Sequence, residues 1–231
     1  MKSFIQFGSK QIDFQIEYSG RKSLGITVTP DINVLVKAPL NTPLYKVKEI
    51  LKKKAPWIIK QQSYFLYFHP KTPPRKFISG ETHLYLGRQY RLKIKKSKLE
   101  SVKLRGKFIE VSTANKGRAK QLVREWYLKN AKIKFQAVAI PLIDKFKKHK
   151  VEPSSIVLRE MTKRWGSCTA KGKVILNPEL IKAPKACIEY VIIHELCHLI
   201  YHDHTQKFID LQTKEMPDWE KWKSKLEKLL A

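Results

Sequence analysis

Short apolar runs rich in β-branched or aromatic residues, separated by glycine, proline and polar residues, recur along the first part of the chain, and such runs are typical of β-strands. Such runs cover residues 4–7, 12–18, 26–29, 33–36, 83–86, 90–94 and 108–111. They predict a small meander followed by a second group of strands. Between the two groups, apolar residues recur at helical spacing from Pro43, with a break or kink near Pro56, and residues 69–75 are typical of a loop.

Helical periodicity dominates the second part of the chain. Apolar residues predict a long helix over 115–148, which Pro141 is expected to kink or divide. Short strand patterns at 156–159 and 173–176 lead into a strongly apolar helix. Two short helices, divided at Pro217, are predicted to close the chain.

These elements predict an α+β fold, with a basic, mainly β region over 1–114, a second domain over 115–231 and no internal repeat. With 231 residues, 42% of them apolar, the chain is long enough to bury a core. Its three cysteines form no Cys-x-x-Cys pair, so a disulfide framework is not expected. Neither a secretory pattern nor a membrane-spanning apolar run is visible. A cytoplasmic location is the expectation.

Residues 194–198 read His-Glu-Leu-Cys-His at the end of the apolar helix. On a helix, His194 and His198 lie on one face, where two imidazoles can share a divalent metal ion. Glu195 then lies beside that ion, and a carboxylate in this position can accept a proton from a metal-activated water molecule. Chance occurrence on an ordinary amphipathic helix is the alternative for so short a motif. The motif favours zinc-assisted hydrolysis with one Zn²⁺ ion.

A catalytic zinc ion usually takes three protein ligands, so the motif requires a third one nearby. His202 and His204 are the nearest candidates. On an unbroken helix His202 would lie about 12 Å beyond His194, too far for the rings to converge, so the chain must turn first. Asp203 suits such a turn, and Thr205 suits the N-cap of a following helix. The turn would return His204 to the metal, while His202 stays an alternative ligand or a solvated histidine.

Three linked blocks surround the motif: Arg164-Trp165-Gly166-Ser167-Cys168, Ile175-Leu176-Asn177-Pro178-Glu179-Leu180, and His194-Glu195-Leu196-Cys197-His198-Leu199 with His204 and Phe208. In order and spacing they resemble the YgjP-like zinc metallopeptidase family, a relative of the SprT-like and WLM-type peptidases. The resemblance implies zinc ligands at His194, His198 and His204, with Glu195 as the general base. It also implies a zincin-like C-terminal domain with an active-site helix and a small antiparallel sheet.

Three residues near the third histidine depart from patterns of related enzymes. Asp203 and Thr205 flank His204, where the family often has Asn and Ser, but both keep the capacity to turn and to cap. The histidine spacing also matches that of the metzincins, yet Tyr201 occupies the position of the glycine that their turn needs. A metzincin is therefore not expected.

The same resemblance suggests that an extended peptide binds along residues 173–177, a strand beside the metal that ends at Asn177. An ordinary sheet strand is the alternative for this segment. Arg164 also has two interpretations, because its guanidinium can orient a substrate carboxylate or a developing oxyanion, or can hold its own turn together. Asn177 and Arg164 are therefore the predicted substrate-binding residues.

The chain is strongly basic: its 47 Lys and Arg residues and 20 Asp and Glu residues give a net charge of +27. Residues 91–150 hold 19 basic and 4 acidic side chains, whereas residues 186–231 hold 6 and 8. A basic body attached to a near-neutral catalytic segment predicts an anionic partner, most simply nucleic acid, besides a peptide or protein substrate. A Lys-rich composition that serves solubility alone is the alternative.

Three functions are compatible with these features. The leading hypothesis is a zinc-dependent metallopeptidase that cleaves peptide bonds and is recruited to nucleic acid by its basic surface. The second is a zinc-dependent hydrolase of nucleotides or other phosphoanhydrides, although the sequence has no Gly-rich phosphate loop. The third is a nucleic-acid-binding protein with a structural zinc, which would require a closed site of four ligands.

Overall fold

A computed structural model of the chain describes residues 2–8, 10–29, 31–66, 75–162 and 164–230. The chain forms two compact units that divide between residues 72 and 73. The predicted loop at 69–75 lies, except for Arg75, outside the described residues. Within the described ranges, every helix is too short or too polar to cross a membrane.

The first unit contains a four-stranded sheet and one helix. Its elements are β1 (Lys2–Phe7), β2 (Lys10–Ser19), β3 (Gly25–Val28), β4 (Val34–Pro39) and α1 (Leu44–Leu66). The strand order is β1-β2-β4-β3, in which β2 and β4 are parallel and both outer pairs are antiparallel. The predicted meander is therefore wrong, because β3 lies on the outer side of β4 instead of pairing with β2.

One face of this sheet forms the core of the first unit. Ile12 and Phe14 alternate with exposed residues along β2 and share a buried cluster with Val47 and Leu51 of α1. Pro56 lies within α1, so the helix continues through the predicted break.

The second unit begins with the same arrangement. Its first elements are β5 (Thr82–Tyr85), β6 (Arg88–Lys96), β7 (Ser101–Arg105), β8 (Phe108–Thr113) and α2 (Ala119–Phe146). The order β5-β6-β8-β7 again places a parallel pair at the centre. Four strands and a helix therefore occur twice, although the sequence shows no repeat. Strand β7 was not predicted, because only Val102 and Leu104 of its five residues are apolar.

The remaining elements surround the histidine motif. They are β9 (Ser155–Leu158), β10 (Gly166–Cys168), β11 (Lys173–Leu176), α3 (Lys185–Cys197), α4 (Gln206–Glu215) and α5 (Trp219–Leu230). The three strands form a sheet in the order β10-β11-β9, with β10 antiparallel and β9 parallel to β11. The predicted antiparallel sheet is therefore wrong for β9. The chain passes from β9 on one side of the sheet to β10 on the other before it turns back into β11, so β9 and β11 run in the same direction. The α+β class and the β-rich N-terminal region are confirmed.

The compact units divide at a different point from the predicted domains, which were separated after residue 114. Tyr85, Leu92 and Ile109 of β5, β6 and β8 belong to the same buried cluster as residues of α2 and α3. Because these strands share their core with the helices that follow them, they belong to the second unit.

The turn between β5 and β6 supports the start of α3. Leu86 and Gly87 both have positive φ angles, +48° and +78°, as the favoured two-residue hairpin turn requires. Their N–H groups donate to the carbonyl oxygens of Ile181 and Lys182 at 2.8 and 3.0 Å. A β carbon on Gly87 would lie 2.6 Å from Cγ of Pro184, the residue before α3. Glycine at this position therefore permits the close approach of the hairpin to the helix that carries the motif.

The substitution Gly87→Ala should lower the free energy of unfolding by about 2–4 kcal/mol, since a strained φ and a steric collision add. Gly106→Ala is the matched control. Gly106 also has a positive φ, +54°, but a β carbon there would meet nothing within 4 Å. Only the conformational cost, about 1 kcal/mol, is expected for the control. Urea unfolding followed by circular dichroism measures both, and equal losses would contradict the contact with Pro184.

Candidate metal centre

The histidine motif lies in the last turns of a helix that is enclosed by other elements. Helix α3 contacts α2, α4 and α5 as well as β10 and β11. Six of its nine side chains before the motif are therefore buried, which accounts for the apolar run in the sequence. An enclosed helix holds the side chains of its last turn in fixed positions.

Three histidines converge at this end of α3. Nε2 of His204 lies 3.1 Å from Nε2 of His194, and one ring nitrogen from each of His194, His198 and His204 lies within 4.8 Å of the others. Two nitrogen ligands of a tetrahedral zinc ion are about 3.4 Å apart. The three imidazoles therefore fit one divalent ion after small side-chain adjustments. His202 lines the same cleft but lies outside this group, the one such group found among the described residues.

His204 reaches the site because the chain turns sharply after α3. Tyr201 N–H donates to Cys197 O at 2.9 Å and closes the helix, and Thr205 N–H donates to Asp203 O at 2.8 Å. Thr205 occupies the N-cap position of α4 in an extended conformation, although its hydroxyl makes no capping hydrogen bond. The predicted turn and the predicted start of the next helix are confirmed.

Hydrogen bonds from the second ring nitrogen orient two of the imidazoles. His194 Nδ1–H donates to Gln212 Oε1 at 2.7 Å, and His198 Nδ1–H donates to the main-chain oxygen of Tyr201 at 3.1 Å. Both bonds place the proton on Nδ1 and leave the lone pair on Nε2. Burial lowers the pKa of His194 to about 4 and also lowers the pKa of His198. Both rings are therefore neutral at pH 7, the form that binds metal ions.

Two buried residues on α4, one turn apart, complete the surroundings of the three rings. The centre of the Phe208 ring lies 5.1, 4.6 and 4.8 Å from the ring centres of His194, His198 and His204. Gln212 is 1% exposed, and its Nε2 has no hydrogen-bond partner among the described residues. Phe208 thus forms an apolar floor below the imidazoles. Gln212 was not predicted, and its spacing of four residues from Phe208 is the only signal that the sequence offers.

A buried carboxylate anchors the C-terminal end of α4. Glu215 lies 2.8 Å from Lys148 Nζ, 2.9 Å from His149 Nε2 and 3.1 Å from Lys145 Nζ. Burial alone would raise the pKa of Glu215, but these hydrogen bonds lower the pKa to about 2. The network ties α4 to the end of α2 and so holds Phe208 against the histidines.

Glu195 lies beside the histidines and is almost enclosed. The residue is 4% exposed and lines the same cleft, which has a volume of about 700 Å³. Burial raises the pKa of the Glu195 carboxyl to about 7, although the charge of Arg164 and the main-chain N–H of Cys168 act in the opposite direction. A carboxyl with this pKa can take up or release a proton near neutral pH.

Strand β10 passes directly over this carboxyl. A β carbon on Gly166 would lie 2.5 Å from Oε1 of Glu195 and 2.8 Å from its Cγ. Any larger residue would displace either the strand or the carboxyl. The close contact between β10 and Glu195 therefore requires glycine at position 166.

Strand β10 is an edge strand whose free side faces the cleft. Two main-chain bonds of 2.9 Å join it to the β11 side: Thr169 N–H to Lys173 O and Asn177 N–H to Trp165 O. Because antiparallel bonding alternates, the main-chain groups of Gly166 and Cys168 point to the opposite side, where Cys168 N–H donates to Glu195. Strand β11 is paired on both sides, so the predicted binding of a peptide along residues 173–177 is wrong.

The two predicted substrate-binding residues have different surroundings. Asn177 is 3% exposed, and its Nδ2 donates to the main-chain oxygens of Met161 and Arg164 at 2.8 and 3.1 Å. Its Oδ1 accepts from Glu179 N–H. Asn177 therefore holds the loop before β10 in place, and its side chain is not among those that line the cleft. Arg164 is exposed and lines the cleft.

Three convergent imidazoles, a buried carboxyl and a free strand edge around one cleft have the composition of a metallohydrolase site. Residues 22–229 match the family described as YgjP-like, metallopeptidase domain. The chain belongs to this family, as the resemblance of its motifs indicated, and is thereby a hydrolase of the metallopeptidase type. The match reaches into both compact units. A comparison with curated proteins found no match.

The raised pKa of Glu195 predicts a pH-dependent stability of the metal-free protein. The folded-state pKa of about 7 exceeds the ordinary value of 4.5, so the proton stabilises the folded chain fully below pH 4.5. This contribution is lost as the pH rises through 7. At pH 8, Glu195→Gln should therefore be more stable than the wild type by on the order of 2–3 kcal/mol.

Thermal unfolding between about pH 5 and pH 8 with a chelator present measures this difference. Glu189→Gln, on the same helix but half-exposed and paired with Lys185, is the control and should follow the wild-type pH dependence. A wild-type pH dependence in Glu195→Gln would show that the carboxyl is not buried as described.

Proposed function

We propose that the protein is a zinc-dependent peptidase in which His194, His198 and His204 bind one Zn²⁺ ion and Glu195 is the general base. The observation that carries the proposal is the convergence of three ring nitrogens within 4.8 Å of one another, beside a buried carboxyl. Three protein ligands leave the fourth position of zinc open for catalysis. A structural zinc would need a fourth protein ligand, and the group found among the described residues has three members.

When bound, the zinc ion would lower the pKa of a water molecule and polarise the scissile carbonyl. Glu195 would accept a proton from the attacking water and deliver it to the leaving amine, a task that suits a carboxyl with a pKa of about 7. The hydrogen bond from Cys168 N–H would hold the carboxyl in place for both transfers. Gly166 would provide the space that the carboxyl needs.

We further propose that an extended peptide pairs with the free edge of β10. The N–H of Gly166 and the main-chain oxygens of Gly166 and Cys168 lie on that edge, where Cys168 N–H already donates to Glu195. An added strand would run past Glu195. Arg164 would contact a substrate carboxylate or carbonyl oxygen, because its exposed guanidinium lines the cleft. Asn177 would act indirectly, by holding the loop that carries Arg164.

The cleft is less suited to a phosphoanhydride. Among the described residues that line it, Arg164 is the one Lys or Arg, and Asp203 contributes an acidic group. A polyphosphate substrate would need several cations close to the reacting phosphorus. The cleft thus favours a peptide over the second hypothesis.

We propose in addition that the basic surface recruits the peptidase to nucleic acid. The support is the uneven charge of the chain, since residues 91–150 carry 19 bases and 4 acids while residues 186–231, which include the site, carry 6 and 8. The three free cysteines fit the reducing cytoplasm, which stays a prediction.

The roles of Glu195 and His204 can be tested together. Glu195→Gln should keep about one zinc per chain and lower kcat by a factor of about 10²–10⁴, because the amide cannot accept a proton. His204→Ala should lose the zinc, whereas the control His202→Ala should keep it. Metal analysis by mass spectrometry and cleavage of fluorescein-labelled casein and of a peptide library provide the readouts. Undiminished turnover in Glu195→Gln, or equal zinc loss in both histidine variants, would contradict the assignment.

Gln212 should act as a positioning residue for the metal ligand His194. Gln212→Leu keeps the volume but removes the acceptor of His194 Nδ1–H, so the zinc dissociation constant should rise about 10- to 100-fold. Gln212→Glu keeps the acceptor and loses no hydrogen bond, because Nε2 of Gln212 has no partner among the described residues. The glutamate variant should therefore bind zinc at least as tightly as the wild type. Competition with a chromophoric chelator measures both constants, and wild-type affinity in Gln212→Leu would refute the role.

A further inference from the structure

The two four-stranded sheets have the same topology but differently charged outer faces. On each sheet, the outer face consists of the residues that alternate with the buried ones. The charged residues of this face in the first unit are two bases and two acids: Lys2, Lys37, Asp13 and Glu17. The equivalent face in the second unit has five bases and one acid: Arg91, Lys93, Lys95, Lys103, Arg105 and Glu110. A general excess of lysine does not explain this difference, because it would affect both sheets.

An exposed aromatic ring lies between β6 and β7 at one end of the basic face. Phe108 on β8 is 38% exposed and lies directly opposite Arg91 on β6 and Arg105 on β7. The Nζ atom of Lys93 lies 5.3 Å from the centre of the ring. Three cations from two neighbouring strands therefore surround one accessible aromatic surface.

The single carboxylate of this face, Glu110, is partly withdrawn from solvent. Its side chain is 13% exposed and lies 3.0 Å from Lys95 and 3.9 Å from Arg105. Within the described part of the chain, Arg91, Lys93 and Lys103 have no carboxylate within salt-bridge distance. These cations are therefore available to an external anion.

We propose that this outer face binds single-stranded nucleic acid, with a base stacked on Phe108 and phosphates contacted by the surrounding cations. Stacking platforms framed by basic side chains are the usual means of holding single strands without sequence preference. Side chains on one face of a strand repeat every two residues, about 6.7 Å, so Arg91, Lys93 and Lys95 form a regular row for a phosphate backbone. The inference rests on the recruitment proposed above and assigns that recruitment a surface.

A single strand suits this face better than other anionic partners. In a duplex the bases are paired and stacked on each other, so Phe108 would have no base face to contact. An acidic protein segment or an anionic membrane would use the cations but would not need an exposed ring between two arginines. The combination of Phe108 with Arg91 and Arg105 is therefore the feature that favours a single strand over these other anionic partners.

Fluorescence anisotropy of the full chain with a fluorescein-labelled single-stranded RNA dodecamer tests the cations. Arg91→Gln/Arg105→Gln should weaken binding about tenfold or more at near-physiological salt and lower the slope of log Kd against log salt by about 1.4. The matched control Lys132→Gln/Lys134→Gln removes two charges from exposed positions of α2 and should change Kd less than about threefold.

Substitution of the ring tests stacking separately. Phe108→Leu should raise Kd about 5- to 150-fold without changing the salt slope, because an apolar side chain replaces a stacking one at constant charge. Phe108→Tyr should restore binding, since it keeps the aromatic face. Circular dichroism and thermal unfolding verify that each variant is folded. A DNA strand of the same sequence should bind similarly, and its duplex more weakly.

Several outcomes would overturn the inference. Equal binding by the wild type, by Arg91→Gln/Arg105→Gln and by the control would reject this surface while leaving recruitment to nucleic acid intact. Absence of any oligonucleotide binding would reject both proposals. Unchanged binding in Phe108→Leu would reject stacking. Binding to vesicles of phosphatidylcholine and phosphatidylserine (3:1) that is lost in the arginine variant, while RNA binding persists, would assign the face to a membrane instead.

Discussion

The packing of α4 against the last turn of α3 is the contact on which the site depends. His194 and His198 lie on α3, but Phe208 below their rings and Gln212 at the Nδ1 atom of His194 both come from α4. A helix as short as α4 is not stable by itself in water, so tertiary contacts must hold it. Burial of Phe208 provides one such contact and the ion pairs of Glu215 provide the other.

Burial has opposite consequences for the two kinds of titratable group in the site. It lowers the pKa of His194 and so keeps the imidazole neutral, while it raises the pKa of Glu195 toward neutrality. A neutral imidazole is ready to bind a metal ion, and a carboxyl near its pKa is ready to exchange protons. One physical cause, the removal of water from the end of α3, therefore prepares both the proposed ligands and the proposed base. Strand β10 contributes to this removal, because Gly166 lets it pass directly over the carboxyl.

Features that depend on local periodicity could be predicted from the sequence, whereas features that depend on strand pairing could not. The helix that carries His194, the turn at Asp203 and the helix start after Thr205 follow from spacing and capping preferences. The sequence could not show that β10, and not β11, is the edge strand beside the site. Which strand lies at the edge depends on where the chain crosses the sheet, and no residue pattern records that crossing. The repeated four-strand topology escaped prediction for the same reason, because the two copies share a pairing scheme and not a sequence. Gln212 was missed because its partner lies on another helix.

The most direct test of the proposed metal centre is a crystal structure of the purified protein with anomalous diffraction data collected on both sides of the zinc absorption edge. We expect one zinc peak at about 2.0–2.1 Å from Nε2 of His194 and of His198 and from a ring nitrogen of His204, without a fourth protein ligand. A zinc ion held elsewhere, a site with His202 in place of His204, or a closed site of four protein ligands would contradict it.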